Sequence, residues 1–305
     1  MKKHPLKSQL IILQSYRRNL DQVRGLSPKS CHDRLRDVRR FLEAVVVRRT
    51  RDLAQLAPTD LVSYLSAQSA HYQPASLRNV ASSLRDFLRF AQQQGWTHGA
   101  KDLVVPKIAC AARNDLPVYL SSAQLDALLA VWDQSTPEGA RDRAIGLCLA
   151  RLGLRAGELA ALVLADLDWR QGTLRLARSK NGSQVQLPLL GEVGAAIAHY
   201  LRTGRPTSVH REVFLRHQPV RPMNAGTVSA VVRRGLHHGG IKVPRAGAHV
   251  LRHTLASHLV QQGASLKEVA DVLRHQDLNS ASVYAHVDLP NLRPLAQPWP
   301  TEVRR

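Results

Sequence analysis

Residues 248–287, AHVLRHTLASHLVQQGASLKEVADVLRHQDLNSASVYAHV, bring several phosphate-binding side chain types into some forty positions. The pattern predicts three short helices. His249 and Arg252 stand three positions apart, so on the first helix they share one face. On the other face, leucines recur at four-residue spacing, as a core-facing stripe should: Leu251, Leu255 and Leu259.

The two later helices of this stretch carry the rest of its chemistry. Gly263 ends the first helix, and Ser265 with Glu268 forms a capping box that opens the second. His275 falls just past the end of the second helix, and Tyr284 lies on a short third one. Imidazoles, a guanidinium and a phenol brought together in this way suit chemistry on a phosphate diester.

The overall charge points to a polyanionic partner. In 305 residues, 43 Lys and Arg oppose 23 Asp and Glu, which gives +20 with histidine neutral. Nucleic acid is the leading partner for such a balance. A merely soluble basic protein or one attached to an acidic membrane is the alternative, but no run approaches the ~20 apolar residues of a membrane span. Three widely spaced cysteines, Cys31, Cys110 and Cys148, argue against disulfides and favour a reducing cytosol.

The pattern of helices and breaks predicts two domains. Residues 1–100 show helical apolar spacing without strand-like alternation, and residues 101–117 form a linker with no sustained period. A mixed domain follows over residues 118–289, and four prolines make a continuous helix improbable in the tail, residues 290–305.

The one clear β signal lies inside the second domain. Residues 173–178 alternate apolar and polar side chains, Asn181-Gly182 forms a hairpin turn, and alternation returns at Val185 and Leu187. Lys180 stands beside the turn, at the hairpin tip. The predicted fold class is therefore mainly α, with a small β-hairpin or sheet in the second domain.

Four motifs, in order and spacing, resemble the tyrosine recombinases, also called the phage integrase family, in their Xer-like bacterial branch. RLGLRAGELAAL (151–162) looks like the first arginine motif and RLARSKNGSQVQLPL (175–189) like the hairpin with a catalytic lysine. AHVLRHTLASHL (248–259) resembles the H-x-x-R motif, and LRHQDLNSASVYAHV (273–287) the closing segment with the nucleophile. The resemblance implies a helical, SAM-like core-binding domain before a tyrosine-recombinase catalytic domain.

Carried over to these positions, the resemblance implies a site for cleaving and rejoining duplex DNA through a covalent 3′-phosphotyrosyl intermediate, without metal or ATP. Tyr284 would attack phosphorus, two guanidiniums would hold the non-bridging oxygens, and His249 would help the phenol. Lys180 would protonate the departing 5′-oxygen, and His275 would donate a hydrogen bond to the phosphate. The implied catalytic set is Arg155, Lys180, His249, Arg252, His275 and Tyr284, with Glu158 in support.

The resemblance also implies partners and a place of action. The partner is a double-stranded DNA recombination site, bound by four protomers on two sites, either as a homo-tetramer or with a second recombinase. No cofactor, metal or membrane is expected, and the bacterial cytosol near the nucleoid is the expected location. Two alternatives remain open: a type IB topoisomerase-like enzyme that nicks and reseals, and a non-catalytic helix-turn-helix regulator built on residues 248–274.

Three neighbours of the implied site carry separate expectations. His253 and His258 flank the leucine stripe and are expected to pack or cap rather than to act in catalysis. Arg274, directly before His275, stands where the family usually has glycine. A long side chain there either crowds His275 or adds a phosphate contact.

Overall fold

The computed structural model of the chain describes residues 7–99, 104–109, 117–176, 185–274 and 283–284. Its contacts divide the chain into two compact units, Met1–Arg113 and Asn114–Arg305. Each unit has its own hydrophobic core. The finer division into two domains, a linker and a tail stays a prediction, and most of the linker and all of the tail lie outside the described residues.

The first unit is helical throughout its described part. Proline occupies the first position of three of its helices, where its missing N–H is not needed. A π-helical turn at Asn19–Val23 and a 3₁₀ helix at Thr50–Gln55 join the longer elements. The helices are α1 (Lys7–Arg18), α2 (Pro28–Ala44), α3 (Pro58–Ser69) and α4 (Pro74–Gln93).

Aromatic residues hold the core of the first unit together. The Tyr16 ring of α1 meets the Phe87 ring of α4 edge to face, with 5.3 Å between centroids. Its hydroxyl donates to the Asp86 carboxylate at 2.7 Å, and Arg34 of α2 pairs with the same carboxylate at 3.0 Å. Burial, with Asp86 adding to it, raises the pKa of Tyr16 well above its ordinary value. This network links three helices through the partly buried Asp86 carboxylate.

The second unit is a helical body with small sheets. Its central helix is buried along most of its length, because residues 144–150 are all small or apolar and the buried Arg141 and Asp142 pair with each other. The described helices are α5 (Ser122–Ala130), α6 (Pro137–Arg151, the central one), α7 (Ala156–Ala160), α8 (Gly191–Thr203), α9 (Ala225–His238), α10 (Ala248–Gln261) and α11 (Leu266–Leu273).

The predicted hairpin is present as two antiparallel strands, β2 (Thr173–Leu176) and β3 (Val185–Pro188). Leu174 faces Leu187 across the pair, and both Leu174 and Leu176 are buried. A short strand, β1 (Leu167–Asp168), adds to the sheet beside β2. A second pair, β4 (Leu215–Arg216) with β5 (Arg221–Pro222), was not predicted. The hairpin tip, with Lys180 and Asn181-Gly182, lies outside the described residues.

The first described residues of the second unit, 117–120, are fastened to α10. The Leu120 backbone N–H donates to Thr254 Oγ1 at 2.9 Å, and the Leu120 carbonyl pairs with His258 Nε2 at 3.0 Å. The prediction that His258 has a structural role therefore fits its contacts. In the described part of the chain, no helix is both long and apolar enough to cross a membrane.

Candidate active site

The first arginine of the site stands at the start of α7. After α6 the chain reverses at Gly153, whose φ is +57°, and Arg155 then takes an extended conformation at the N-cap of α7. Its guanidinium donates to Glu158 Oε1 at 2.7 Å, and its backbone N–H donates to Glu158 Oε2 at 2.8 Å. With its side chain 43% exposed, Arg155 is accessible to a ligand while Glu158 holds it in place.

The second arginine is buried on α10. Arg252 is only 5% exposed, and its two terminal nitrogens donate to the backbone carbonyls of Gly153 and Leu273. Burial, together with the nearby charges of Arg155 and Arg274, lowers the pKa of Arg252 to about 10. The guanidinium therefore stays charged at neutral pH. Through these two hydrogen bonds the Arg252 side chain links the middle of α10 to the turn after α6 and to the end of α11.

Tyr284 lies against this helix. It is 2% exposed and packs with residues of α10 and α11, among them Val260 and Leu273. Its hydroxyl forms a 2.7 Å hydrogen bond with His253 Nδ1. Burial raises the pKa of Tyr284 to about 12, and the positive charge of Arg252 opposes the rise. The phenol is therefore protonated at neutral pH and needs a proton acceptor before it can attack.

His253 was expected to pack or cap, and it both packs against neighbouring rings and hydrogen-bonds the Tyr284 hydroxyl. Its ring lies 5.7 Å from the Tyr284 ring and 6.4 Å from the His249 ring, centroid to centroid. His249 itself is exposed, while Arg252, predicted to share its face, is buried. A signal for His253 exists in the sequence, because His249 and His253 stand four apart and so share a helix face.

Arg274 takes a left-handed conformation at the end of α11, with φ +56° and ψ +46°. Its side chain turns back into the site, where Nη2 donates to the Gly153 carbonyl at 3.1 Å and to Glu158 Oε2 at 3.2 Å. The backbone carbonyl of Arg274 accepts a hydrogen bond from Arg155 Nη2 at 3.4 Å. Arg274 thus joins both predicted clamp arginines through shared partners.

Glu158 is the acidic centre of this cluster. Burial raises its pKa, but the hydrogen bonds from Arg155 and the charge of Arg274 outweigh burial, so the net pKa is lowered. Glu158 is therefore ionised at neutral pH and offsets part of the positive charge of the arginines. Its supporting role in the reaction stays a prediction.

The described structure brings five of the seven predicted site residues to one region. Arg155, Glu158 and Arg252 meet around the Gly153 turn. The positive charge of Arg252 also acts on Tyr284, where it lowers the pKa against the effect of burial. His249 adjoins through His253. Lys180 and His275 lie outside the described residues, so their places in the site stay predictions. Among the residues described, no group of three His, Cys, Asp or Glu is arranged to hold a metal ion.

Comparison with known sequences gives matches to both halves of the chain. The profile of the phage integrase family matches residues 118–289, and that of the phage integrase N-terminal SAM-like domain matches residues 13–95. A putative integrase/recombinase, y4rA of Sinorhizobium fredii (strain NBRC 101917 / NGR234), is 37% identical over 96% of this chain and 71% of its own length. Tyrosine recombinase XerD of Yersinia pestis is 31% identical over 81% of this chain and 83% of its own.

Solved structures share the fold across nearly the whole chain. The XerH site-specific recombinase in its post-cleavage complex with a palindromic difH substrate superposes with a TM-score of 0.69. The alignment covers 96% of this chain and 98% of that one, at 17% sequence identity. At this identity the likeness supports the fold, namely a helical SAM-like domain and a mainly helical catalytic domain with small antiparallel sheets.

Proposed function

The chain belongs to the phage integrase family of tyrosine recombinases, and we propose that Tyr284 is the nucleophile with which it cuts DNA. As a member of this family it is a site-specific recombinase that cleaves and rejoins DNA. The proposed intermediate is a covalent 3′-phosphotyrosyl bond that releases a 5′-hydroxyl. Because this bond conserves the energy of the phosphodiester, rejoining needs no ATP.

One observation carries the assignment of the nucleophile. The Tyr284 hydroxyl is hydrogen-bonded to an imidazole and lies within the field of Arg252, whose guanidinium is bonded to the turn that leads to Arg155. A phenol that only packed in the core would not need both a base and a phosphate-binding cation beside its oxygen. A helix-turn-helix regulator would give Arg155 and Tyr284 no role at all.

The two arginines are proposed to bind the scissile phosphate. The attack adds negative charge to the non-bridging oxygens, and fixed guanidiniums stabilise that charge in a site shielded from water. Arg155 is exposed and held by Glu158, so it can receive a phosphate without reorganising. Arg252 donates to backbone carbonyls, which phosphate oxygens can replace or share.

The remaining predicted residues complete the reaction. The departing 5′-oxygen is far more basic than a phenolate and requires an acid, for which Lys180 is proposed. His275 is proposed to donate a hydrogen bond to the phosphate, and His249, which is exposed and adjoins His253, to help the Tyr284 phenol. We propose that neither metal nor cofactor takes part, since the guanidiniums supply the positive charge.

The assembly is proposed by analogy with relatives. The solved XerH structure is bound to a difH substrate, and one lambda integrase structure is a tetramer bound to a Holliday junction. For this chain we propose a double-stranded recombination site as partner, with four protomers, identical or mixed, on two sites. The charge of +20 favours such a partner. The proposed setting is the bacterial cytosol.

A nicked suicide substrate that carries the recombination site tests the nucleophile. The wild-type protein should form a covalent protein–DNA adduct, and Tyr284→Phe should form none because it lacks the attacking oxygen. Tyr119→Phe is the matched control, since Tyr119 is partly exposed and bonded to Gln261 at 3.2 Å. Adduct formation by Tyr284→Phe would refute the assignment, and loss of activity after chelation would refute the metal-free reaction.

A further inference from the structure

We propose that His253 is a catalytic residue of strand cleavage, whose Nδ1 receives the proton that the Tyr284 hydroxyl loses when it attacks phosphorus. The inference rests on the proposed function, because it requires Tyr284 to be the nucleophile. It also changes the role expected for this histidine, which the sequence placed among packing residues.

The geometry is that of a nucleophile with its base. The Oη–Nδ1 distance of 2.7 Å lies inside the range in which a base must stand from the proton that it takes. The imidazole is also held on a rigid support. Its neighbour Arg252 is bonded to the carbonyls of Gly153 and Leu273, and its other neighbour, Thr254, is bonded to Leu120 and Val250.

The protonation states of the pair suit the transfer. Burial, with the nearby charges of His249 and Arg252, lowers the pKa of His253 below its ordinary value of 6.5. The imidazole is therefore neutral at pH 7, and Nδ1 can accept while Nε2 carries the hydrogen. Among the described residues, the titratable and charged groups that act on it are His249, Arg252 and Tyr284.

The step balances in both directions. As the new Oη–P bond forms, the phenol proton passes to Nδ1 of His253, while the P–O5′ bond breaks and O5′ takes a proton from the general acid. On rejoining, the 5′-hydroxyl attacks and returns its proton to the deprotonated general acid, while the Oη–P bond breaks and the imidazolium returns its proton to Tyr284. An imidazolium beside Arg252 is electrostatically unfavourable, which favours this return.

The first test separates proton transfer from hydrogen bonding. In His253→Asn the amide oxygen can occupy the position of Nδ1 and accept the Tyr284 hydrogen bond, but it cannot take the proton. We expect the single-turnover rate of adduct formation to fall about 10²-fold, with unchanged affinity for the DNA site. His258→Gln is the matched control on the same helix, because its amide can keep the bond to the Leu120 carbonyl. A wild-type rate for His253→Asn overturns the proposal and leaves His253 a positioning residue.

A second substrate shows which oxygen the histidine serves. When sulfur replaces the bridging 5′-oxygen, the leaving group no longer needs an acid. Any remaining loss of rate then comes from the deprotonation of the Tyr284 hydroxyl. The His253→Asn defect should persist on this substrate. Recovery to the wild-type rate would mean that His253 serves the leaving group, and the proposal would be wrong.

Two further measurements cover the other outcomes. If Tyr284→Phe still forms adducts, the proposed function fails; if only His253→Asn behaves as wild type, the function stands and this inference fails. Where His253→Asn does not fold, the wild-type pH profile on the sulfur substrate decides. Its rate should rise through an inflection below pH 6.5, the ordinary histidine value, and keep that inflection in His249→Gln. A flat profile overturns the proposal.

Discussion

Replacing Arg274 by glycine sets two opposing effects against each other. A non-glycine residue at φ +56° costs roughly 1–2 kcal/mol, so glycine should recover about 1 kcal/mol at this position. The arginine side chain, 12% exposed, would be lost with its bonds to the Gly153 carbonyl at 3.1 Å and the Glu158 carboxylate at 3.2 Å, and with two longer ones, of 3.3 Å, to the Leu152 and Val272 carbonyls. At about 1.5 kcal/mol for each of the two shorter bonds of this charged group, that loss is about 3 kcal/mol. Contacts therefore outweigh strain, and Arg274→Gly should be less stable by about 2 kcal/mol.

Urea unfolding followed by circular dichroism measures this difference. Because Arg274 lies in the second unit, the urea unfolding transition of that unit should move to lower urea concentration. The unfolding transition of the first unit, which is unchanged in sequence, serves as the reference. Arg274→Lys is the matched control. It keeps the left-handed residue and one positive charge but loses the guanidinium fork that reaches several acceptors at once, so its stability should fall as well.

A glycine variant as stable as the wild type, or more stable, would refute this reasoning. It would mean that the backbone strain at residue 274 exceeds the value of all its side-chain contacts. A lysine variant with wild-type stability would show that charge alone matters, and that the shared carbonyl of Gly153 contributes nothing.

Three further predictions follow from the site and the charge. Gly153→Ala should lower the unfolding free energy by about 2 kcal/mol, because its φ is +57° and a Cβ would come within 2.9 Å of Leu255 and Leu273; an unchanged urea midpoint would contradict this. The folded-state pKa of Glu158 is lowered, so its carboxylate stabilises the fold fully above its ordinary pKa of 4.5 and loses that contribution as pH falls through the lower folded value. The stability difference between wild type and Glu158→Gln should therefore be constant near pH 7 and shrink below pH 4.5, and a difference that grows in acid would show the opposite linkage. Affinity for the DNA site should fall linearly on a log–log plot as salt rises, and a salt-independent affinity in a gel-shift titration would contradict a phosphate-dominated interface.

Most helices of the chain could be predicted, since local signals specify them. Helix α11, for example, opens with the predicted capping box, in which Ser265 Oγ accepts from the Glu268 backbone N–H. Residues 1–100 were predicted to be helical, although a polar side chain interrupts the apolar spacing of α1 within them. Gln9 is buried in the core and donates to the Val47 carbonyl, a partner that only the folded chain supplies. The two-residue strands β4 and β5 are too short to show a period.

The site was predictable in residue types and less so in its contacts. The H-x-x-R spacing suggested a shared face, yet Arg252 is buried because its carbonyl partners come from the Gly153 turn and the end of α11. Of the leucine stripe, Leu251 is fully buried, whereas Leu255 and Leu259 are partly buried. The contact between His253 and Tyr284 joins positions 31 apart, and no local pattern encodes it.

The attachment of residue 120 to α10 has a mechanical consequence. Both backbone hydrogen bonds of Leu120 end on side chains of the helix that carries Arg252, and one of those side chains is Thr254. A displacement of Leu120 must therefore break these bonds or move α10 at Thr254, one position from His253.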